Sequence, residues 1–172
     1  MASFSCNEPH RHNEITKIEL TRTGAWADIG AIIKIDTSLN YDYWGRYDTV
    51  KEGYFTGRIS QGFWDTLNYK FDQLKYKTLD TTDNSNVQDA NYFELIIHWE
   101  KGRRRIIRVD TGGNYPLIKT LKWLNDSYKN VQLKRATNPI KFETTYLQTL
   151  IKIDQVKFPP PIIKRKYKRI AN

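Results

Sequence analysis

Cysteine and long apolar runs are scarce in this chain of 172 residues. Cys6 is its only cysteine, so the chain forms neither an intramolecular disulfide nor a multi-cysteine zinc site. No apolar run approaches the roughly 18 residues that a membrane-spanning helix needs. Stability must therefore come from packing, and a hydrophobic content of 39%, with 5 Trp, 11 Tyr and 7 Phe, is sufficient for a globular core.

Acidic residues are absent from the C-terminal end of the chain, so most of the net positive charge lies there. Residues 157–172 carry six basic residues and no acid, whereas the first 129 residues carry 18 basic and 17 acidic residues. The net charge of +9 therefore belongs mainly to this C-terminal segment, which contains three consecutive prolines and which we call the basic arm. Its candidate binding residues are Lys164, Arg165, Lys166, Tyr167, Lys168 and Arg169. Such a run favours docking on an acidic protein surface or on phosphates.

Hydrophobic periodicity predicts an α+β fold. Alternation predicts strands, and a period of 3.6 residues with Ser60 as N-cap predicts an amphipathic helix near 63–74. A second helix is predicted after Asn114, which we expect to cap it, with Pro116 in its first turn. The predicted strands are 15–24, 29–36, 41–47, 53–59, 91–99 and 103–110. We expect an antiparallel sheet of about six strands, two amphipathic helices packed on one face, and a C-terminal extension.

Face matching predicts the register of the last hairpin. A three-residue loop with a left-handed Gly102 pairs Phe93 with Val109 and Leu95 with Ile107, which keeps arginine off the apolar face. In this register Arg103 and Arg105 lie near Trp99, where a guanidinium can stack on the indole ring. We therefore predict a glycine-bulge hairpin.

Composition divides the chain into four parts. These are an irregular lead-in (1–13), an α+β domain (14–130), an ambiguous extension (131–156) and the proline-hinged basic arm (157–172). Within the extension, residues 140–146 alternate like a strand, whereas Leu147, Leu150 and Ile151 also fit a helical turn.

Chemistry-bearing residues form no convincing catalytic, metal or cofactor site. Cys6, His10 and His12 lie in the lead-in, which offers no rigid platform, and His98 is expected to be structural. The aspartates of the 80–89 loop lack the spacing of a calcium loop. Gly112-Gly113 is followed by no phosphate-binding lysine. We therefore expect a protein without enzymatic activity, cofactor or bound metal.

Aromatic and arginine residues supply the remaining candidates for partner binding. Trp44 belongs to an aromatic group in the first four strands, part of which must form the core while the remainder is available to a partner. Arg103 and Arg105 lie at the hairpin end and are the other two candidates on the domain itself.

Three segments also carry a family resemblance. They are Ile18 to Arg22 with Gly24, Gly53 to Ile59 before the first helix, and Tyr115-Pro116-Leu117 after the hairpin. With them, residues 14–129 resemble an uncharacterised bacterial α+β domain often found on envelope lipoproteins. Members commonly have a cysteine-containing turn after the first strand, where this chain has Ala25-Trp26-Ala27-Asp28. The resemblance implies a fold and no established activity.

These observations together predict a non-enzymatic binding or assembly module that docks on a protein through the basic arm and the aromatic-rich sheet. One alternative is nucleic-acid binding through the arm, and another is an inhibitor or immunity-type protein for an acidic partner. Only five residues precede Cys6, and they include no apolar segment, so the sequence as written predicts a cytoplasmic protein. A signal peptide ending before Cys6 would instead indicate an envelope lipoprotein. The oligomeric state is left open.

Overall fold

A computed structural model describes residues 14–24, 29–46, 51–81, 90–110 and 115–146. The expectations for the lead-in, for most of the 80–89 loop, for Gly112-Gly113 and for the whole basic arm fall outside these residues.

The described residues form an α+β fold around one antiparallel sheet, which confirms the predicted class. The sheet has seven strands rather than about six, because two residues of the extension pair with β4. The strands are β1 (Ile15–Thr23), β2 (Ile29–Asp36), β3 (Asn40–Gly45), β4 (Gly53–Arg58), β5 (Tyr92–Trp99), β6 (Gly102–Val109) and β7 (Lys134–Arg135), and the helices are α1 (Gln61–Gln73) and α2 (Pro116–Asp126). Their order across the sheet is β6-β5-β1-β2-β3-β4-β7. Short 3₁₀ turns at Tyr76–Thr78 and Ser127–Asn130 follow the two helices.

The two helices begin in different ways. The Ser60 hydroxyl accepts the Phe63 backbone N–H at 3.2 Å, so the predicted cap of α1 is confirmed. Helix α2 starts at Pro116 directly after Tyr115, which makes no side-chain capping bond. The N-cap position of α2 is thus Tyr115, and the predicted cap Asn114 lies outside the described residues. Proline at the first helical position preorganises the backbone.

One hydrophobic cluster joins alternate residues of the sheet to both helices. Ile18, Leu20, Ile33, Tyr41 and Leu95 are among its sheet members, and all are at most 1% exposed. Trp64, Leu67, Phe71, Leu121 and Leu124 are among its helical members. Fully burying one such side chain contributes about 1.5 to 3 kcal/mol. Because side chains alternate along a strand, the residues between these positions point to the opposite face.

The β5–β6 hairpin departs from its predicted register by one residue. Trp99 pairs with Gly102 and Leu95 with Ile106, around a two-residue loop. The prediction assumed that arginine avoids the apolar face, yet Arg104 and Arg108 lie on it. Their guanidinium groups donate to the backbone carbonyls of Leu79 and Asp80, so both charges are solvated by the chain itself. Trp99 also excludes a side chain at position 102, since a Cβ there would lie 2.5 Å from the indole ring.

Candidate functional site

Two glutamates are buried on the sheet face opposite the hydrophobic cluster. Glu19 of β1 and Glu94 of β5 are each 1% exposed. Glu19 pairs with Ile96, and Glu94 pairs with Thr21, so the two carboxylates are near neighbours on adjacent strands. A carboxylate buried in this way is costly unless hydrogen bonds replace its water. The chain supplies those bonds from its own C-terminal extension.

Residues 141–146, which we call the strap, cross this face of the sheet without regular secondary structure up to residue 145. Glu19 accepts the backbone N–H of Glu143 at 2.9 Å and that of Thr144 at 2.8 Å. One carboxylate oxygen serves each amide. Hydrogen bonds to an ionised acceptor are the stronger class, so Glu19 holds the main chain of the strap directly.

Glu94 holds the next residues of the strap. It accepts the Thr145 backbone N–H at 3.2 Å, the Thr145 hydroxyl at 3.1 Å, and the hydroxyl of Thr144. Arg105 donates to the same carboxylate through Nε and to the Thr145 hydroxyl oxygen through a terminal nitrogen at 2.7 Å. The buried charge of Glu94 is thereby surrounded by donors from both the strap and β6.

Three basic side chains surround the carboxylate of Glu143 in the strap. Lys17 donates to one carboxylate oxygen, and His98 Nε2 and an Arg103 nitrogen each lie 3.1 Å from the other. Partial burial opposes ionisation of Glu143, but the Lys17 hydrogen bond and the nearby charges keep its pKa below the usual value. An ionised carboxylate only accepts, so His98 donates from Nε2. Burial, followed by the charge of Lys17, lowers the pKa of His98 and favours its neutral form.

Aromatic contacts hold the other end of the strap. The Phe142 ring stacks on Tyr54 with centroids 6.5 Å apart and planes 14° apart. Lys34 lies 5.4 Å above the Phe142 ring, and its ammonium group also donates to the Lys141 carbonyl at 3.1 Å. Trp44 adjoins Tyr54 at 6.3 Å. The strap therefore crosses from the aromatic side at β3 and β4 to the basic side at β5 and β6.

A family model matches residues 31–132, which is more than half of the chain. The chain belongs to the family described as a domain of unknown function, DUF6438. This confirms the expected relationship to an uncharacterised domain. The match begins within β2 and ends before the strap. It includes Glu94, His98, Arg103 and Arg105 but not Glu19. A search of curated proteins finds no match.

The lipoprotein context of the resemblance has no support in this DUF6438 match and stays a prediction. Among the residues that the structure describes, no helix is both long and apolar enough to cross a bilayer. Within the same residues, no three side chains of His, Cys, Asp or Glu are grouped as a metal site would require.

The candidate binding residues of the DUF6438 domain lie near opposite ends of the strap. Arg103 and Arg105 contact its later residues, and Trp44 adjoins Tyr54 near its start, four strand spacings or about 19 Å away across the sheet. The expectation that the two arginines stack near Trp99 is wrong, because the observed register places them on the opposite face, with Arg103 paired to His98. The arm residues 164–169 lie outside the described residues.

Sequence reasoning missed Glu19 and Glu94. A signal was present, since each interrupts an apolar run within a predicted strand, between Ile18 and Leu20 and between Phe93 and Leu95. A charged residue at such a position is rarely buried without a partner. The partner residues 143–145 are about 50 to 125 positions away in sequence, and no local pattern connects them to the glutamates.

Burial raises the pKa of the Glu19 carboxyl, although the two strap amides act in the opposite direction. The Thr144 residue that covers the pair is itself only 2% exposed. Both carboxylates thus accept hydrogen bonds from backbone amides or hydroxyl groups of the strap, and the strap covers them. This arrangement fixes a chain segment on the sheet.

Proposed function

We propose that this protein is a non-enzymatic docking module that binds an acidic partner protein through its basic arm, with the aromatic side of the strapped sheet face as a second contact. The binding residues are Lys164, Arg165, Lys166, Tyr167, Lys168 and Arg169 of the arm, with Trp44 of the sheet. Residues of both helices belong to the hydrophobic cluster on one face of the sheet, and the strapped face is the opposite one, which we assign to the partner.

The observation that carries the proposal is the attachment of the strap. Glu19 and Glu94 bind the main chain of residues 143–145, 12 to 14 positions before the arm begins. The chain is therefore fixed to the sheet at these residues. Because the arm is tethered to this point, a partner bound at the strapped face meets the arm at a raised effective concentration.

The charges on the strapped face also favour the arm as the binding element. Arg103 and Arg105 keep 48% and 39% of their side chains exposed, but they form ion pairs with Glu143 and Glu94. These pairs neutralise the basic hairpin locally. They also weaken the alternative of nucleic-acid binding assisted by the hairpin, because phosphates would compete with two carboxylates already in place.

The test compares the full chain with two charge-neutralised variants of equal size. In the arm variant, Lys164, Arg165, Lys166, Lys168 and Arg169 become glutamine. In the matched control, five exposed basic residues of the domain become glutamine: Lys75, Lys101, Lys119, Lys134 and Arg135. Each tagged protein is purified from its native lysate with and without nuclease treatment, and the retained proteins are quantified by mass spectrometry.

We expect one acidic protein to be retained in a fixed ratio by the wild type and the control. The arm variant should retain at least tenfold less of it, and the purified pair should bind more weakly as salt increases. Equal retention by the arm variant contradicts the proposal. Binding that nuclease abolishes contradicts it as well and supports the nucleic-acid alternative.

A further inference from the structure

The sheet face beneath the strap binds the backbone of residues 143–145 in the way that a peptide-binding site binds a peptide. Three successive backbone amides, those of residues 143 to 145, donate to side-chain carboxylates of the sheet. These bonds hold the backbone of the segment, and they do not depend on the segment belonging to the same molecule. The residues that precede the strap, 137 to 139, are exposed.

Side-chain contacts add selectivity at four positions of the strap, 142 to 145. The first of these four favours an aromatic ring, since Phe142 stacks on Tyr54. The second requires an acid, since Glu143 lies between Lys17, His98 and Arg103. At the third and fourth positions, hydroxyl groups donate to Glu94. The strapped face, which we call the channel, therefore fits a segment with an aromatic residue, an acidic residue and two hydroxyl-bearing residues in that order.

The strap leaves one polar group in the channel floor unsatisfied. Thr21 pairs with Glu94 across β1 and β5, is 1% exposed, and its hydroxyl has no hydrogen-bond partner among the described residues. A buried hydroxyl without a partner costs about 1 to 3 kcal/mol. This hydroxyl lies on the same face of the sheet as Glu94 and is a polar group that the strap does not bind.

We infer that this face is a peptide-binding channel, held closed by the strap, which accepts a segment of the same chemistry from a partner protein in exchange for residues 142–145. Charge complementarity supports an acidic segment, because two fixed cations and His98 converge on the second position. The inference shares the strap contacts with the proposed function but does not use the basic arm. The peptide test below can therefore fail while the arm test succeeds, and the reverse.

The tethered strap competes at an effective concentration on the order of millimolar, so the wild type should bind a free peptide weakly. The test therefore opens the strap in the full chain by Phe142→Ala with Glu143→Lys, which leaves the channel floor intact. The probe is a fluorescent peptide of residues 138–147, and binding is followed by anisotropy. Circular dichroism establishes that the opened variant is folded.

We expect the opened variant to bind the peptide at least tenfold more tightly than the wild type does. A peptide with lysine in place of its glutamate should lose that gain, and so should the opened variant carrying Glu94→Gln. A folded opened variant that binds both peptides equally, or neither, overturns the inference. Dimerisation of the wild type by exchange of straps between copies also overturns it, because the occupant would then be a second copy.

A second measurement covers the case in which the opened variant fails to fold. A protease site is introduced at the exposed residues 137 and 138, and the full chain is cleaved there, so that the strap is held only by its contacts. Replacement of the cleaved segment by labelled peptide within hours, with the sheet still folded, supports the channel. Retention of the segment against excess peptide contradicts it.

Discussion

Glu19 accepts the backbone N–H of Thr144 at 2.8 Å, across 125 positions of sequence. This bond joins the first strand of the sheet to the last part of the chain that the structure describes. Both residues are buried, so water cannot replace either partner when the other is removed. The stability of the domain and the closure of the strap should therefore respond to the same substitutions.

Glu19→Gln should destabilise the domain by roughly 2 to 3 kcal/mol. The amide side chain presents one acceptor where the carboxylate presents two, and its NH₂ group faces the backbone N–H of residue 143 or 144. Urea unfolding measures the change. Glu52→Gln, at an exposed glutamate before β4, is the matched control and should lie within about 0.5 kcal/mol of the wild type.

Thr144→Val should cost about 1 to 2 kcal/mol, because it removes the hydroxyl donor to Glu94 while keeping the shape of the side chain. Thr56→Val is the corresponding control, since Thr56 is exposed on β4 and a β-branched residue suits that strand. Chemical denaturation of both variants gives the comparison. Equal effects at the two sites would show that the Glu94 bond contributes nothing net.

Acidification should destabilise the protein through His98. Its ordinary pKa is 6.5, and burial together with Lys17 lowers the value in the fold. The unfolded chain therefore binds more protons than the folded protein as pH falls through 6.5 toward the folded value, and the free energy of unfolding decreases. His98→Gln keeps a donor toward Glu143 but does not titrate, so it should flatten this slope.

The measurement is the free energy of unfolding at several values between about pH 7.5 and 5.5 in both proteins. The raised pKa of Glu19 acts in the opposite direction, since the folded protein then binds the extra proton and gains stability as pH falls. Glu19 is present in both proteins, so the difference between their slopes isolates His98. Parallel slopes would show that His98 titrates alike in the folded and unfolded states.

Much of the fold could be predicted from periodicity, because each strand and helix carries its own pattern. Ser60 and the apolar face of α1 are local features, and both are found as expected. The hairpin register was predicted wrongly because it depends on residues 79 and 80, whose carbonyls receive Arg104 and Arg108. That contact comes from a distant segment and leaves no trace in the hairpin sequence.

The candidate site was less predictable than the fold for the same reason. Arg103, Arg105 and Trp44 were correctly placed on strands, but the contacts of the two arginines depend on the strap, which runs from the aromatic side near Trp44 to β6. The strap itself alternates like a strand in sequence, yet it crosses the sheet instead of joining it, because carboxylates rather than a neighbouring strand satisfy its amides. Alternation reports which side chains face the protein and not which groups bind the backbone.

Alanine substitutions at two glycines should change stability in opposite directions, because one glycine is tightly packed and the other lies in open space on a helix. A Cβ at Gly57 on β4 would lie 2.8 Å from Val131 Cγ1 and 2.9 Å from the Gln132 carbonyl oxygen, whereas a Cβ at Gly62 in α1 would meet nothing within 4 Å. Gly57→Ala should therefore cost about 1 to 3 kcal/mol, since the backbone at 132 must move. Gly62→Ala should stabilise the protein by about 0.5 to 1 kcal/mol, because alanine loses less entropy in a helix. Thermal unfolding of both variants measures the two effects, and a neutral Gly57→Ala would show that residues 131–133 do not pack closely on β4.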